Sequence, residues 1–127
     1  MVCRSILGAF SGIVLLSVAA GAGADPYASA YEAAASGDYE TAGILFTHLA
    51  DRGDAQAQFN LALMYHGGLG VPRNEPEAVR LYHRAAYAGS VNAMEFLVVG
   101  YQEGWFGLPR DPKRAAYWSR ALMKYQE

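Results

Sequence analysis

Three histidines, His48, His66 and His83, are the side chains best suited to metal or acid–base chemistry. Zinc needs three or four ligands converging at suitable spacing. No two of these histidines stand four residues apart, and each falls on a different expected helix, so they read as surface or groove residues. Ser36, His48 and Asp51 supply the residue types of a nucleophilic triad. Such a nucleophile needs an elbow and an oxyanion loop, and neither pattern occurs in the sequence. Gly67-Gly68-Leu69-Gly70 has the glycines of a phosphate loop without the Lys-Ser/Thr that must follow or a strand before it. It reads better as a long turn within a hairpin. Glu75 and Glu77 pair two carboxylates, but they open an expected helix, where capping and the helix dipole favour anions. The expectation is therefore no catalytic residue, no metal and no cofactor.

The segments that must position these residues begin with a distinct N-terminus. Arg4 supplies a short positive region, Ile6 to Val18 is an apolar run, and Ala22-Gly23-Ala24 offers small residues before Asp25-Pro26. That is the plan of a secretory signal peptide over residues 1–24, cleaved after Ala24. An uncleaved anchor is the alternative; the run is barely long enough to span a bilayer, and the small-residue site favours cleavage. Cys3, the only cysteine, falls in the removed segment and precedes the apolar run, so it is not in a lipoprotein position. The mature chain, 25–127, then holds no thiol for a disulfide, a nucleophile or a metal. The expected location is the bacterial periplasm or the exterior, with no membrane insertion once the signal is removed. A net charge of -2 is too small, and of the wrong sign, to capture nucleic acid or anionic lipid. A hydrophobic fraction of 53% against 17% charged argues for a packed chain rather than a disordered one.

Beyond the signal, the sequence repeats at a spacing of about 36. Ala57, Leu61, Tyr65 and Gly68 fall on Ala93, Leu97, Tyr101 and Gly104. One extra residue then sets Gly70 on Gly107 and Pro72 on Pro109, and a compensating deletion just afterwards is expected to return Arg84-Ala85 to Arg120-Ala121. Each unit carries two helical stripes. Ala78, Leu81, Tyr82, Ala85 and Ala86 stand at the offsets of one buried helix face, and Ala42, Leu45, Phe46, Leu49 and Ala50 repeat that pattern upstream. Asn74 with Glu77 suggests a capping box, Asp111 before Pro112 a capped start, and Gly53 and Gly89 helix ends at positive φ. Six helices are expected, at about 26–36, 39–52, 54–66, 75–88, 90–103 and 112–125.

The run Ala57-x-x-x-Leu61-Ala62-x-x-Tyr65, Gly68-x-Gly70-Val71-Pro72-x-Asn74, Glu77-Ala78-x-x-Leu81-Tyr82-x-Arg84-Ala85-Ala86-x-x-Gly89 closely resembles the SEL-one-like repeat (SLR). The second copy departs from it at Val98 and Leu108, and Gly37-Asp38-Tyr39-x-x-Ala42-x-x-x-Phe46 looks like the middle of a tetratricopeptide unit. The resemblance implies an all-α superhelix, a solenoid of about three hairpins. It also implies a protein-binding role, since related solenoids hold peptides on the concave face lined by the first helix of each hairpin. Carried onto this chain, that face would present Tyr31, then Gln56, Phe59, Leu63 and His66, then Asn92, Glu95, Val99 and Gln102. Trp105-Phe106, in the inserted loop, is expected to cover the last hairpin, with an exposed anchor for a partner as the alternative. The leading function is an exported adaptor binding a protein or peptide. A small cell-wall hydrolase and a self-associating structural module, a homo-oligomer, are the alternatives.

Overall fold

The computed structural model describes residues 25–126. The signal segment lies outside them. Six helices follow in order: α1 (Pro26–Ala35), α2 (Tyr39–Asp51), α3 (Ala55–Gly67), α4 (Glu75–Tyr87), α5 (Val91–Glu103) and α6 (Pro112–Gln126). Every end lies within one residue of its expected place, and no strand occurs among the described residues. The helices pack as hairpins, α1 with α2, α3 with α4 and α5 with α6, and each hairpin leans on the next through α2–α3 and α4–α5. The chain is an all-α repeat solenoid.

Capping side chains set the helix starts. Asp38 accepts from the Thr41 N–H, Asp54 from Ala57, Asn74 from Glu77 and Ser90 from Ala93. Each satisfies a backbone donor that has no partner within the helix. Asp111 accepts from both Lys113 and Arg114. Asn74 and Glu77 form only half of the expected capping box. The Glu77 carboxylate pairs with Arg80, and the Asn74 N–H donates instead to the Tyr65 carbonyl at 2.9 Å.

Alanines let the helices approach closely. Ala42, Ala50, Ala57, Ala62, Ala78, Ala85, Ala86 and Ala93 are all buried, and Phe46, Met64, Leu81, Tyr82, Leu97 and Tyr101 fill the space between them. Polar side chains also tie adjacent hairpins. Gln58 Nε2 donates to the Ala50 carbonyl at 3.1 Å, and Asn60 Nδ2 to the Tyr31 hydroxyl at 2.8 Å.

The N-caps correct the expected register of the last helix. Asn74 and Asp111 cap in the same way, and Ala78 and Leu81 are buried as Ala115 and Trp118 are. The one-residue slip that enters the loop therefore persists through α6. Trp118 is the counterpart of Leu81, and Arg114 and Tyr117 are those of Glu77 and Arg80. The compensating deletion expected near Pro112 does not occur, because the insertion is absorbed in the loop and leaves the capped helix start intact.

Candidate functional site

The first helices do not present their residues evenly. Phe59 and Leu63 are each 3% exposed and His66 is 5% exposed, so all three lie inside the protein. Tyr31 is buried as well, its hydroxyl taken by Asn60. The reason is the place of α3 in the solenoid. It has hairpins on both sides, and every residue from 57 to 64 is buried. Substituting these groups would damage the core before it touched a ligand. The expected concave stripe is thus open only at part of its length. Gln56 and Asn92 are half-buried, at equivalent positions of successive units, with the Asn92 amide 3.5 Å from Gln56 Oε1. Glu95, Val99 and Gln102 follow on α5, and all three are exposed, Val99 to 38%. Their spacing of four and three residues keeps them on one face.

Behind that face sits an aromatic cluster. Tyr82 stacks on Phe96 with ring centroids 4.0 Å apart, and Phe106 stacks on the same Phe96 ring at 4.1 Å. His66 meets Phe106 edge-on at 4.9 Å. Phe106 therefore covers the last hairpin, and it does so at a φ of 61°, in the left-handed region that non-glycine residues seldom occupy. The stack holds it there. Trp105, its neighbour, stays 37% exposed, so the pair divides between cover and surface.

Burial pushes the His66 imidazole below its ordinary value; Glu75 opposes this, and Arg73 adds to it. The sign for stability follows. The unfolded chain takes up a proton near pH 6.5, whereas the folded chain resists it, so this contribution is complete above that pH and is lost as the pH falls below it. Urea midpoints should fall between pH 7.5 and 5.5 in the native chain. In His66→Phe that slope should flatten, and an unchanged slope would assign it to another group.

The other chemistry-bearing residues lie apart. Ser36 Oγ donates to the Ala33 carbonyl at the end of α1, while His48 and Asp51 are exposed on α2. Glu77 is engaged by Arg80, and Glu75 stands 4.0 Å from Arg73. Among the described residues no group of three or more His, Cys, Asp or Glu could hold a metal ion, and no helix is long and apolar enough to cross a membrane. One constellation went unseen in the sequence: a cleft between α4, α5 and α6, where His83, Tyr101, Arg114 and Trp118 meet. Helical periodicity alone assigns Tyr101 and Trp118 to buried faces, and both are buried. The available signal was the exchange of Glu77 and Arg80 for Arg114 and Tyr117, hidden by the wrong register.

Comparison with known proteins agrees with the repeat geometry. The Sel1 repeat model matches residues 55–90 and 98–121, which takes in α3 with α4 and much of α5 with α6. Chitin synthase regulatory factor 2 of Schizosaccharomyces pombe is 34% identical over 74 residues, 58% of this chain and 14% of its own length. Protein sel-1 homolog 2 of Mus musculus is 50% identical over 50 residues, 39% of this chain and 7% of its own. The crystal structure of a Sel1 repeat protein from Oxalobacter formigenes superposes with a TM-score of 0.65 at 28% identity, over 93% of this chain and 43% of that one. The chain thus spans a small fraction of these curated relatives and under half of the crystallised protein. The capped hairpins, the glycine turns and these likenesses agree: the chain belongs to the Sel1 repeat family.

Proposed function

We propose that this chain is an exported adaptor that holds an extended peptide or helix of a partner protein along Gln56, Asn92, Glu95, Val99 and Gln102. Sel1 repeats are in general protein-interaction modules rather than catalysts. The observation that carries the reading is the exposed stripe on α5, where an apolar Val99 stands between Glu95 and Gln102, continued onto α3 by the Gln56–Asn92 amide pair. Amides bind peptide backbone groups, the valine gives an apolar contact, and Glu95 favours a basic residue on the partner. The export step rests on Arg4, the apolar run and Ala22-Gly23-Ala24, and it places the adaptor in a bacterial periplasm or outside the cell.

Capture from a bacterial envelope extract tests the stripe. Glu95→Arg combined with Val99→Asp changes only exposed residues, so the fold should survive and recovery of the partner should fall by about tenfold or more. Equal recovery by the native and variant chains would end the stripe model. Phe59 and Leu63 are unsuitable for this test, because truncating them opens the core.

A further inference from the structure

The second helices carry a separate cleft of about 530 Å³ between α4, α5 and α6. Tyr101, which opens onto it from α5, lies two residues beyond Val99, about 200° round the helix, so the cleft and the exposed stripe face different ways. Its aromatic side is built by Tyr87, Tyr117 and Trp118, with Trp118 centroids 4.9 Å from Tyr87 and 5.0 Å from Tyr117. Lys113 and Arg114 supply its charge, and no carboxylate lines it.

A directional hydrogen-bond chain crosses the cleft. The Val79 carbonyl can only accept, so His83 Nδ1, 2.9 Å away, carries the proton. His83 Nε2 then accepts from the Tyr101 hydroxyl at 2.8 Å, and the Tyr101 oxygen accepts from Arg114 at 3.2 Å. Arg114 also lies over the Tyr101 ring, 5.5 Å from its centroid. This fixes the guanidinium at the cleft while leaving part of its donor fork unused. Asp111 Oδ2 pairs with the Arg114 Nε at 3.4 Å from the helix start, while its Oδ1 accepts from two backbone N–H groups, so Arg114 is partly paired on the side away from Tyr101. No ion pair engages Lys113 among the described residues.

The preceding unit supplies an internal control. Asp38 and Asn74 cap α2 and α4 alike, and Ala42, Phe46 and Ala50 are buried as Ala78, Tyr82 and Ala86 are. With that register, Asp51 stands where Tyr87 does, Glu77 where Arg114 does, and Arg80 where Tyr117 does. In the earlier unit Glu77 closes an ion pair on Arg80, and Asp51 adds to the field on the same guanidinium. That place neutralises itself. In the last unit both acids are gone: Tyr87 replaces Asp51, Arg114 replaces Glu77, and Tyr117 stands in place of Arg80. In a chain of net charge -2, two cations stand on one aromatic cleft with no carboxylate in its lining. Asp111 offsets Arg114 from outside the cleft, and the charge of Lys113 is left without an ion pair among the described residues.

We propose that this cleft is a second binding site, for an acidic peptide segment whose carboxylate docks on Lys113 and Arg114 while a neighbouring aromatic side chain packs against Tyr87, Tyr117 and Trp118. Charge-assisted bonds to the guanidinium fork give the preference for a carboxylate, and the ring contacts add affinity without selecting it.

The test uses the full mature chain and three capped peptides, Gly-Phe-Glu-Glu-Gly, Gly-Phe-Gln-Gln-Gly and Gly-Phe-Lys-Lys-Gly, followed by two-dimensional NMR. The Glu peptide should shift the Trp118 indole and the backbone signals of Lys113 and Arg114, and bind about tenfold more tightly than the Gln peptide. Lys113→Glu with Arg114→Glu, both at exposed positions, should abolish that binding and admit the Lys peptide. Equal affinity for the Glu and Gln peptides, absence of binding, or shifts confined to Glu95, Val99 and Gln102 would each overturn the site. If the reversed variant fails to fold, the comparison of Glu and Gln peptides on the native chain decides the matter. Loss of envelope-partner capture by changes at Glu95 and Val99 leaves this result untouched, so the two sites fail separately.

Discussion

Gly70→Ala should unfold this protein far more readily than the matching change in the last unit, Gly107→Ala. Both glycines sit in the left-handed region, with φ of 68° and 70°. Each substitution therefore meets the same backbone penalty, about 1–2 kcal/mol. The surroundings separate them. A Cβ on Gly70 would stand 2.3 Å from the Tyr39 carbonyl oxygen and 2.9 Å from the Glu40 N, at the start of α2. Those are backbone atoms of a capped helix, and they cannot rotate away. The nearest atoms to a Cβ on Gly107 belong to the Glu75 side chain, at 3.3 Å, which can. Overpacking adds roughly 1–3 kcal/mol to the first case, for a total of about 2–5 kcal/mol. For a chain of this size that lowers the melting temperature by more than ~10 °C, while Gly107→Ala should lower it by no more than roughly half as much. Circular dichroism melts of the two variants check this directly. Similar melting temperatures would show that Gly70 is only a turn and not a point of contact between hairpins.

That contact marks where the sequence stopped being informative. Gly70 could be read as part of a hairpin turn from its neighbours alone. Its approach to Tyr39 joins positions 31 residues apart, and no local pattern encodes it. Helix positions were legible because capping and stripe periodicity are local, which is why every end came within one residue. Exposure was less so. Phe59, Leu63 and His66 lie on the first-helix face that lines the groove in related solenoids, yet α3 has neighbours on both sides. Its sequence from 57 to 64 carries only Gln58 and Asn60 as polar groups, and both are buried and bonded to the preceding hairpin. A helix without a polar face is buried all round, and that signal was available in the sequence. On α5 the polar residues Glu95 and Gln102 mark the exposed side, and there the expected stripe is accessible. The cleft beside Arg114 was hidden for a different reason: its meaning depends on comparing α6 with α4 in a register that only the N-caps fix.

The same register frames the second large effect. Tyr82→Ala should cost about 3–5 kcal/mol, the range for deleting a fully buried aromatic ring. Tyr82 is 0% exposed and stacks on Phe96, with Phe59 at 5.8 Å and His66 at 6.2 Å, so its ring joins the second and third hairpins. The hydroxyl contributes differently. It is buried without a hydrogen-bond partner, and burial pushes its ionisation well above the usual tyrosine range. Tyr82→Phe should therefore leave stability unchanged or raise it by up to about 1 kcal/mol. The chain already uses this solution one unit earlier, where Phe46 occupies the equivalent place and is equally buried. Because each hairpin in a solenoid contacts only its neighbours, loss of the Tyr82 ring should act on one interface. Native-state hydrogen exchange of Tyr82→Ala should show α5 and α6 losing protection at lower denaturant than α1 and α2. Simultaneous loss across all six helices would mean that the hairpins unfold as one unit, and that the coupling lies outside this stack.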